Sequence, residues 1–481
     1  MNRISSPQSI CHFGIAREDI TPPVGIYHRM WGAASHDQSE GVHRPLVATA
    51  TYFRSTAEPS HQDQLLIAID HCLLGYEEVE MLLRTITAKT SMDREHISLT
   101  FSHTHGAGLL NMDRESFPGG ELIPAYLEQL ATTLAEISAA AIADTTPVNI
   151  TYGVGRCNLA ANRDYFDPQL QQYVCGFNPG HSADDTVVVA RVSDANRQLL
   201  CTFVNYACHP TTLAWDNRLI SPDYPGAMRE VVERETGKPC VFLQGASGDL
   251  GPVHGFVGDT EVCDRNGRQL GYAVLSTLET LSPPGTAFQY AGAVVSGATI
   301  GTWQSVPLDS QDELRLREWQ WDGNRIALPY RADLPDTATV EAEYRQLVLD
   351  EREQQALGES EKAADSRALA ERKKRMLGRL QCLPPGKSFP HQATAWRIGD
   401  AIWLTVQGEP YSELQTALRE RFPETPLIIS TISNGWGPSY LPPQETYGKG
   451  IYQESIASLA PGSLETLIAS LSDRIKHLLA R

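Results

Sequence analysis

The 481-residue chain reads as a mixed α/β fold in which β-sheets are covered by outer helices. Three observations predict this. Short apolar runs rich in β-branched and aromatic residues recur along the chain, segments with helical spacing of apolar residues lie between several of them, and no strict strand–helix–strand alternation orders the two. A doubly wound parallel sheet is therefore not expected. Strand-like runs fall at 46–53, 65–69, 97–101, 148–152, 187–192, 199–204 and 241–244, and later at 288–295, 393–398, 402–406 and 427–430. Helical spacing covers 76–90, 123–143, 224–235 and 261–281, with Gly267 and Gly271 tolerated inside the last, and the chain closes with a helix over 463–479. Between 337 and 383 the composition turns to Glu, Arg, Lys and Ala, which reads as a charged helical hairpin inserted within a single domain spanning 1–481. Its turn is expected at Gly358-Glu359-Ser360 and its stop at Pro384-Pro385-Gly386. The charge pattern favours a solvated surface excursion over a lid or an oligomer contact.

Composition bounds the function. With 41% hydrophobic and 20% charged residues the chain is an ordinary globular protein with enough length to bury a sizeable core. A formal charge of -18 argues against a general nucleic-acid or anionic-membrane binder, and cationic or neutral substrates fit it better. The first ten residues lack the apolar stretch of an export signal, and no apolar run is long enough to span a bilayer, so a cytoplasmic location is expected. Nine cysteines, scattered without a Cys-x-x-Cys pair, suit reduced thiols rather than a disulfide framework.

Polar residues arrive at strand ends four times. The run over 96–101 leads into Ser102-His103-Thr104-His105-Gly106, where residues i and i+2 of a strand would present two imidazoles to one side. A second strand ends in Cys208-His209-Pro210-Thr211, a third opens into Gly245-Ala246-Ser247-Gly248-Asp249-Leu250-Gly251, and a fourth delivers Gly408-Glu409-Pro410. Cys208 and His209 are adjacent, so on a strand they point to opposite faces, which disfavours a cysteine nucleophile. Asp223 stands where it can cap a helix, and Asp249 where it can close a turn. Asp70, at the end of another apolar run, is a candidate for orienting a ligand histidine.

In their order along the chain, His103 and His105, Cys208-His209-Pro210-Thr211, Ser221-Pro222-Asp223 with Gly226, Gly248-Asp249 and Gly408-Glu409 resemble the neutral/alkaline ceramidase superfamily. Asn162-Arg163 and the loop from Asn434 through Tyr440 to Tyr447 resemble two further segments of that family. The resemblance implies a zinc ion held by His103, His209, Glu409 and Tyr440, with His105, Arg163 and Asp249 as catalytic residues beside the reacting group. That donor set suits zinc, which acidifies a bound water and polarises a carbonyl oxygen.

One departure matters. Where the family has a serine and an asparagine after Gly-Asp, this chain has Gly251 and Val253. The sequence closes with a helix soon after the late motif, so the family's carboxy-terminal β-domain is expected to be missing. The resulting expectation is a zinc-dependent amidohydrolase of small or amphipathic N-acyl substrates, using metal-activated water, without stable membrane insertion and with a homo-oligomer left open. A zinc esterase or lactonase on the same fold is the alternative within enzymes. A non-catalytic lipid or metabolite binder is the alternative outside them, and Gly251 is the residue that favours it.

Overall fold

Strand alternation sorts the apolar side chains of this protein onto two faces, and those faces dictate the layers. The computed structural model describes residues 3–56 and 62–480. Eight strands, β1 (Gln8–Asp19), β2 (Val47–Arg54), β3 (Gln64–Ile69), β4 (Ile97–Phe101), β5 (Thr146–Arg156), β6 (Thr186–Asp194), β7 (Leu199–Tyr206) and β8 (Cys240–Gln244), form one sheet. Their order is β8-β7-β6-β5-β1-β2-β3-β4. The inner pairs are antiparallel, whereas β3–β4 and β7–β8 at the two edges are parallel. Parallel neighbours need a crossover, and helices supply it: α1 (Tyr76–Thr90) follows β3, and α3 (Tyr224–Thr236) follows β7.

On one face, Leu65, Ile67 and Leu99 pack under Leu82, Ile86, Leu130 and Leu134 of α1 and α2 (Ile123–Ala143). Val189, Val204 and Phe242 meet Met228, Val232, Leu270 and Val274 of α3 and α4 (Thr260–Glu279) in the same way. The opposite face carries Phe13, Phe53 and Phe203, which pack against Trp396 and Trp403 of a second sheet. Ring centroids 5.1 Å apart join Phe53 and Phe203 to Trp403. Such pairs add about 0.5–1.5 kcal/mol each beyond area burial.

The second sheet contains β9 (Trp319–Asp322), β10 (Ala393–Ile398), β11 (Ala401–Val406) and β13 (Leu427–Ser430), in the order β9-β10-β11-β13. While Trp403 faces the first sheet, its neighbours Ile402 and Leu404 face Leu414 and Leu418 of α7 (Glu413–Arg421) and Leu467 and Leu471 of α8 (Ser463–Leu479). The molecule is thus four layers, helices on sheet on sheet on helices. This is the mixed-sheet fold with outer helices expected from the sequence. β1 was not anticipated, because Gln8, Ser9 and His12 break its apolar pattern; Gln8 is buried by bonding the Thr286 carbonyl at 2.9 Å.

The chain after β13 stitches the two edges of the large sheet together. Thr431 N–H donates to the Gln244 carbonyl of β8, and Asn434 exchanges hydrogen bonds with Leu99 of β4 through its N–H and its Oδ1. The carboxyl ends of β4, β7 and β11 therefore converge, which is where open α/β sheets place ligands. Beyond β11, the short strands β12 (Glu409–Pro410) and β14 (Tyr440–Leu441) pair in parallel with Glu409 beside Tyr440.

Helices α5 (Thr337–Ala356) and α6 (Ser360–Cys382) occupy the charged segment, and they correct the expectation of a solvated excursion. α6 lies against the body. Arg114 donates to Glu371 at 2.6 Å, Arg375 donates to the same carboxylate at 2.6 Å, Arg367 reaches Asp37, and Arg372 reaches Ser455 at 2.8 Å. On α6 several of the charges read as solvent-facing are spent on docking, while α5 buries only Val340.

Among the described residues no helix is long and apolar enough to cross a membrane. All nine cysteines are free thiols.

Candidate active site

Strand β4 ends at Phe101, and the chain turns before the first histidine. Ser102 N–H and His103 N–H donate to the carbonyls of Ile69 and His71, both at 2.9 Å, and His103 takes a left-handed backbone with φ +65°. The two imidazoles therefore do not share a strand face. Their rings stand 88° apart with centroids 5.0 Å apart, so His103 turns inward and His105, at the start of a short 3-10 turn, lies against Trp31 at 5.2 Å. The expectation of two imidazoles on one side extended the strand to His105, past its end at Phe101.

His103, His209 and Glu409 come together from three different strand ends, each buried. Glu409 Oε2 lies 3.3 Å from His103 Nε2 and 3.1 Å from His209 Nε2. The other ring nitrogens are committed to backbone carbonyls: His103 Nδ1 to Cys72 at 2.8 Å, His209 Nδ1 to Ser247 at 2.7 Å. A carbonyl only accepts, so each Nδ1 carries a proton, and each Nε2 presents a lone pair when its ring is neutral. With both rings neutral, two lone pairs and a carboxylate face one another without a proton between them. A cation resolves that arrangement, and backbone carbonyls that fix the tautomer of ligand histidines are its usual support. The residues fit a zinc ion by donor type and by the number of converging atoms.

The electrostatics show the same demand for positive charge: burial opposes the charge on His103, but Cys72 and Glu409 hold that imidazole well above its ordinary value. Burial alone would push both members of a charged pair toward neutrality, yet His103 and His209 outweigh it and hold the Glu409 carboxyl well below its ordinary range. Burial pushes His209 down to about 3, with Arg163 adding to the effect, so that imidazole is neutral and available as a ligand. His105 is also held well below its ordinary value, first by burial and then by the neighbouring imidazoles.

Tyr440 completes the cluster. Its hydroxyl lies 3.4 Å from His209 Nε2 and accepts a hydrogen bond from Arg163 Nη2 at 3.1 Å. Arg163 also donates to the Gly248 carbonyl at 2.7 Å, which fixes the guanidinium against the glycine loop. That loop needs a glycine at 248, because a Cβ there would lie 2.6 Å from the Glu409 carbonyl oxygen. Both ring nitrogens of His105 are buried without a hydrogen-bond partner among the described residues, a sign of a group reserved for something else.

Several sequence expectations fall elsewhere. Asp249 sends its carboxylate to Ser412, accepting from N–H at 2.6 Å and from Oγ at 2.8 Å, and so buttresses the turn after Glu409 without reaching the imidazoles. Asp70 grips Arg229 and the Val47 N–H, not a ligand histidine. Asp223 does cap α3, as its place in the sequence suggests, accepting from Tyr224 N–H at 2.6 Å. Burial drives the Cys208 thiol far above its ordinary value, which removes it as a nucleophile. Gly251 has room: a Cβ would meet Arg163 Cδ and Thr211 Oγ1, each at 3.8 Å.

A cavity of about 80 Å³ opens beside the cluster, lined by His103, His105, Glu409 and Tyr440 and, from α6, by Arg375 and Arg379. Neither arginine carries a recognisable signal in the sequence. Helical spacing identifies a face, not what the face covers. Cys72, whose carbonyl orients His103, was equally hidden behind an unremarked position after β3.

No family model and no curated protein matches the sequence. Solved structures do. A structure described as ceramidase complexed with C2 superposes with a TM-score of 0.63 at 16% identity, covering 98% of this chain and 75% of that one. The neutral ceramidase from Pseudomonas aeruginosa gives 0.62 at 15%, covering 97% and 74%. The fold is that of the neutral ceramidases. At this identity the likeness reaches the backbone architecture, and the ceramidase-like chain must be argued from its own residues for everything finer.

Proposed function

We propose that this ceramidase-like chain is a zinc-dependent hydrolase that cleaves the amide bond of small or amphipathic N-acyl substrates. One observation carries the reading: the Nε2 atoms of two buried imidazoles converge on the Glu409 carboxylate at 3.1–3.3 Å with both Nδ1 atoms committed to carbonyls. His103, His209 and Glu409 would hold the ion, with Tyr440 as the fourth protein donor. When bound, zinc lowers the pKa of water and draws electron density from a carbonyl oxygen.

The other residues have separable tasks. His105, neutral and unpartnered beside the cluster, accepts a proton at its free ring nitrogen and can return it to the leaving amine. Arg163, hydrogen-bonded to the Tyr440 hydroxyl, supplies positive charge where negative charge develops on oxygen. Burial of the cluster strengthens each of these interactions. The ceramidase fold of the two solved relatives supports amide chemistry, while Gly251 separates this chain from recognition of a ceramide headgroup.

Metal analysis of the purified protein tests this. About one zinc per chain is expected, and His209→Ala or Glu409→Ala should lower zinc content and amide hydrolysis together. Full zinc occupancy in both variants refutes the ligand assignment.

A further inference from the structure

The roof of the cavity is cationic, although the chain as a whole carries -18. Glu409 is the one carboxylate that lines it, and Glu409 is engaged with two imidazoles. Of the two arginines contributed by α6, Arg375 is satisfied by Glu371 and by the Met30 carbonyl. Arg379 is different. Half-buried, it has no hydrogen bond or ion pair among the described residues, whereas Arg367, Glu371 and Arg372 of the same helix each bond to the body. Burial pulls its pKa down to about 10, so the guanidinium stays charged at neutral pH.

A part-buried charge without a partner is unfavourable, and a ligand that supplies the opposite charge recovers that energy. The planar guanidinium fork matches a carboxylate in a bidentate pair, which a compact ammonium would not do as well. Trp436 and Tyr452 also line the cavity and give the neighbouring carbon atoms an apolar wall. Docking of α6 through Arg114–Glu371 and Arg367–Asp37 keeps Arg379 in place over the site.

We propose that Arg379 sets the specificity of this site by pairing with a carboxylate carried by the substrate close to the scissile amide, so that the substrate class is acyl amides bearing a carboxylate, N-acyl amino acids foremost. This rests on the amide-hydrolase reading above. The overall reaction is R–CO–NH–R′ plus water giving R–COO⁻ and R′–NH₃⁺: the C–N bond breaks, a C–O bond forms, and the protons of water end on the amine. Acidity of the whole chain slows long-range approach of an anion, and the local arginine decides binding once it arrives.

The zinc-loaded protein is assayed on N-octanoylglycine, on N-octylsuccinamate, which carries the carboxylate on the acyl side, and on neutral N-octanoylethanolamine. Kcat/KM should favour N-octanoylglycine over the ethanolamide by ~10- to 100-fold, the range of a charge-assisted hydrogen bond. Arg379→Gln should erase most of that preference, chiefly through KM, and Arg379→Lys should restore part of it. A preference for the succinamate would place the carboxylate on the acyl side and overturn the amino-acid assignment. As a readout independent of turnover, calorimetric titration should show sodium octanoate binding at least ~10-fold more weakly to Arg379→Gln than to wild type, with octanol unaffected. If amides are hydrolysed with no charge preference, and Arg379→Gln weakens all three alike, the carboxylate pocket is wrong and the amide reading stands. If no amide is hydrolysed but octanoate binding depends on Arg379, the amide reading fails and the pocket stands.

Discussion

Replacing Glu371 with glutamine should release α6 from the body of the protein without unfolding it. Glu371 and Arg114 are both nearly inaccessible to solvent, and Arg375 donates to the same carboxylate. Burial opposes the charge on Glu371, but Arg375 and Arg114 overcome it and hold the carboxyl at about 2, against an ordinary 4.5. That displacement is worth ~3 kcal/mol in linkage terms. Breaking a buried pair and leaving the arginines unmatched gives a similar figure, ~3–5 kcal/mol. Little apolar burial backs up the contact, since α6 buries only Ala363, Ser366, Ala370 and Glu371. The loss should therefore appear as local opening. Hydrogen exchange followed by mass spectrometry at pH 7 should show protection of peptides within 360–382 falling ~100-fold in Glu371→Gln, with peptides from β1–β8 unchanged. The sign of the pH effect follows from the depressed folded-state value: the contribution is complete above about 4.5 and disappears as pH falls toward about 2. Wild-type α6 should accordingly loosen across that window. Unchanged α6 protection in Glu371→Gln would refute the reasoning, and would mean that shape alone docks the hairpin.

Two further outcomes separate the residues of the site. His105→Ala should keep its zinc and lose ~10²–10⁴-fold in turnover, as expected for removal of a proton acceptor, whereas His103→Ala should lose both metal and turnover; metal analysis beside single-turnover assays decides this, and reversed metal contents would exchange the two roles. Gly251→Ser should fold with stability within ~0.5 kcal/mol of wild type, because the added Cβ finds ordinary 3.8 Å contacts. Neither it nor wild type should hydrolyse long-chain ceramide in detergent efficiently, while wild type turns over a smaller N-acyl amide; efficient ceramide cleavage by wild type would overturn that reading.

Legibility in the sequence followed the physics of each feature. Apolar periodicity is a local signal, so α1 and α2 end where their spacing says they should, and β10 and β13 match their apolar runs. Strand ends carrying His103, His209 and Glu409 were visible because polar residues abruptly interrupt those runs. What the interruption does next was not. A left-handed backbone at a histidine leaves no mark in composition, and it decided which imidazole faces the centre. Aspartates fared worst. Asp70 and Asp249 sit at turns where only tertiary neighbours, Arg229 and Ser412, assign them their partners, whereas Asp223 caps its helix through the adjacent Tyr224 N–H, a local signal. The hairpin misled for a related reason: Arg114 and Glu371 are 257 positions apart, so a charge neutralised by docking looks from sequence like a charge meant for water.

The left-handed backbone of His103 has a bearing on how this protein responds to engineering. A non-glycine residue held at φ +65° costs of order 1–3 kcal/mol, and glycine or asparagine would relieve much of it. Selection for yield, thermal tolerance or solubility alone would thus drift toward those residues at 103 and reward clones in which the cluster of His103, His209 and Glu409 has been dismantled. Libraries built on this scaffold need position 103 frozen, or a zinc-dependent screen run beside the stability screen, if gains in robustness are not to come from the one histidine the chain strains to present.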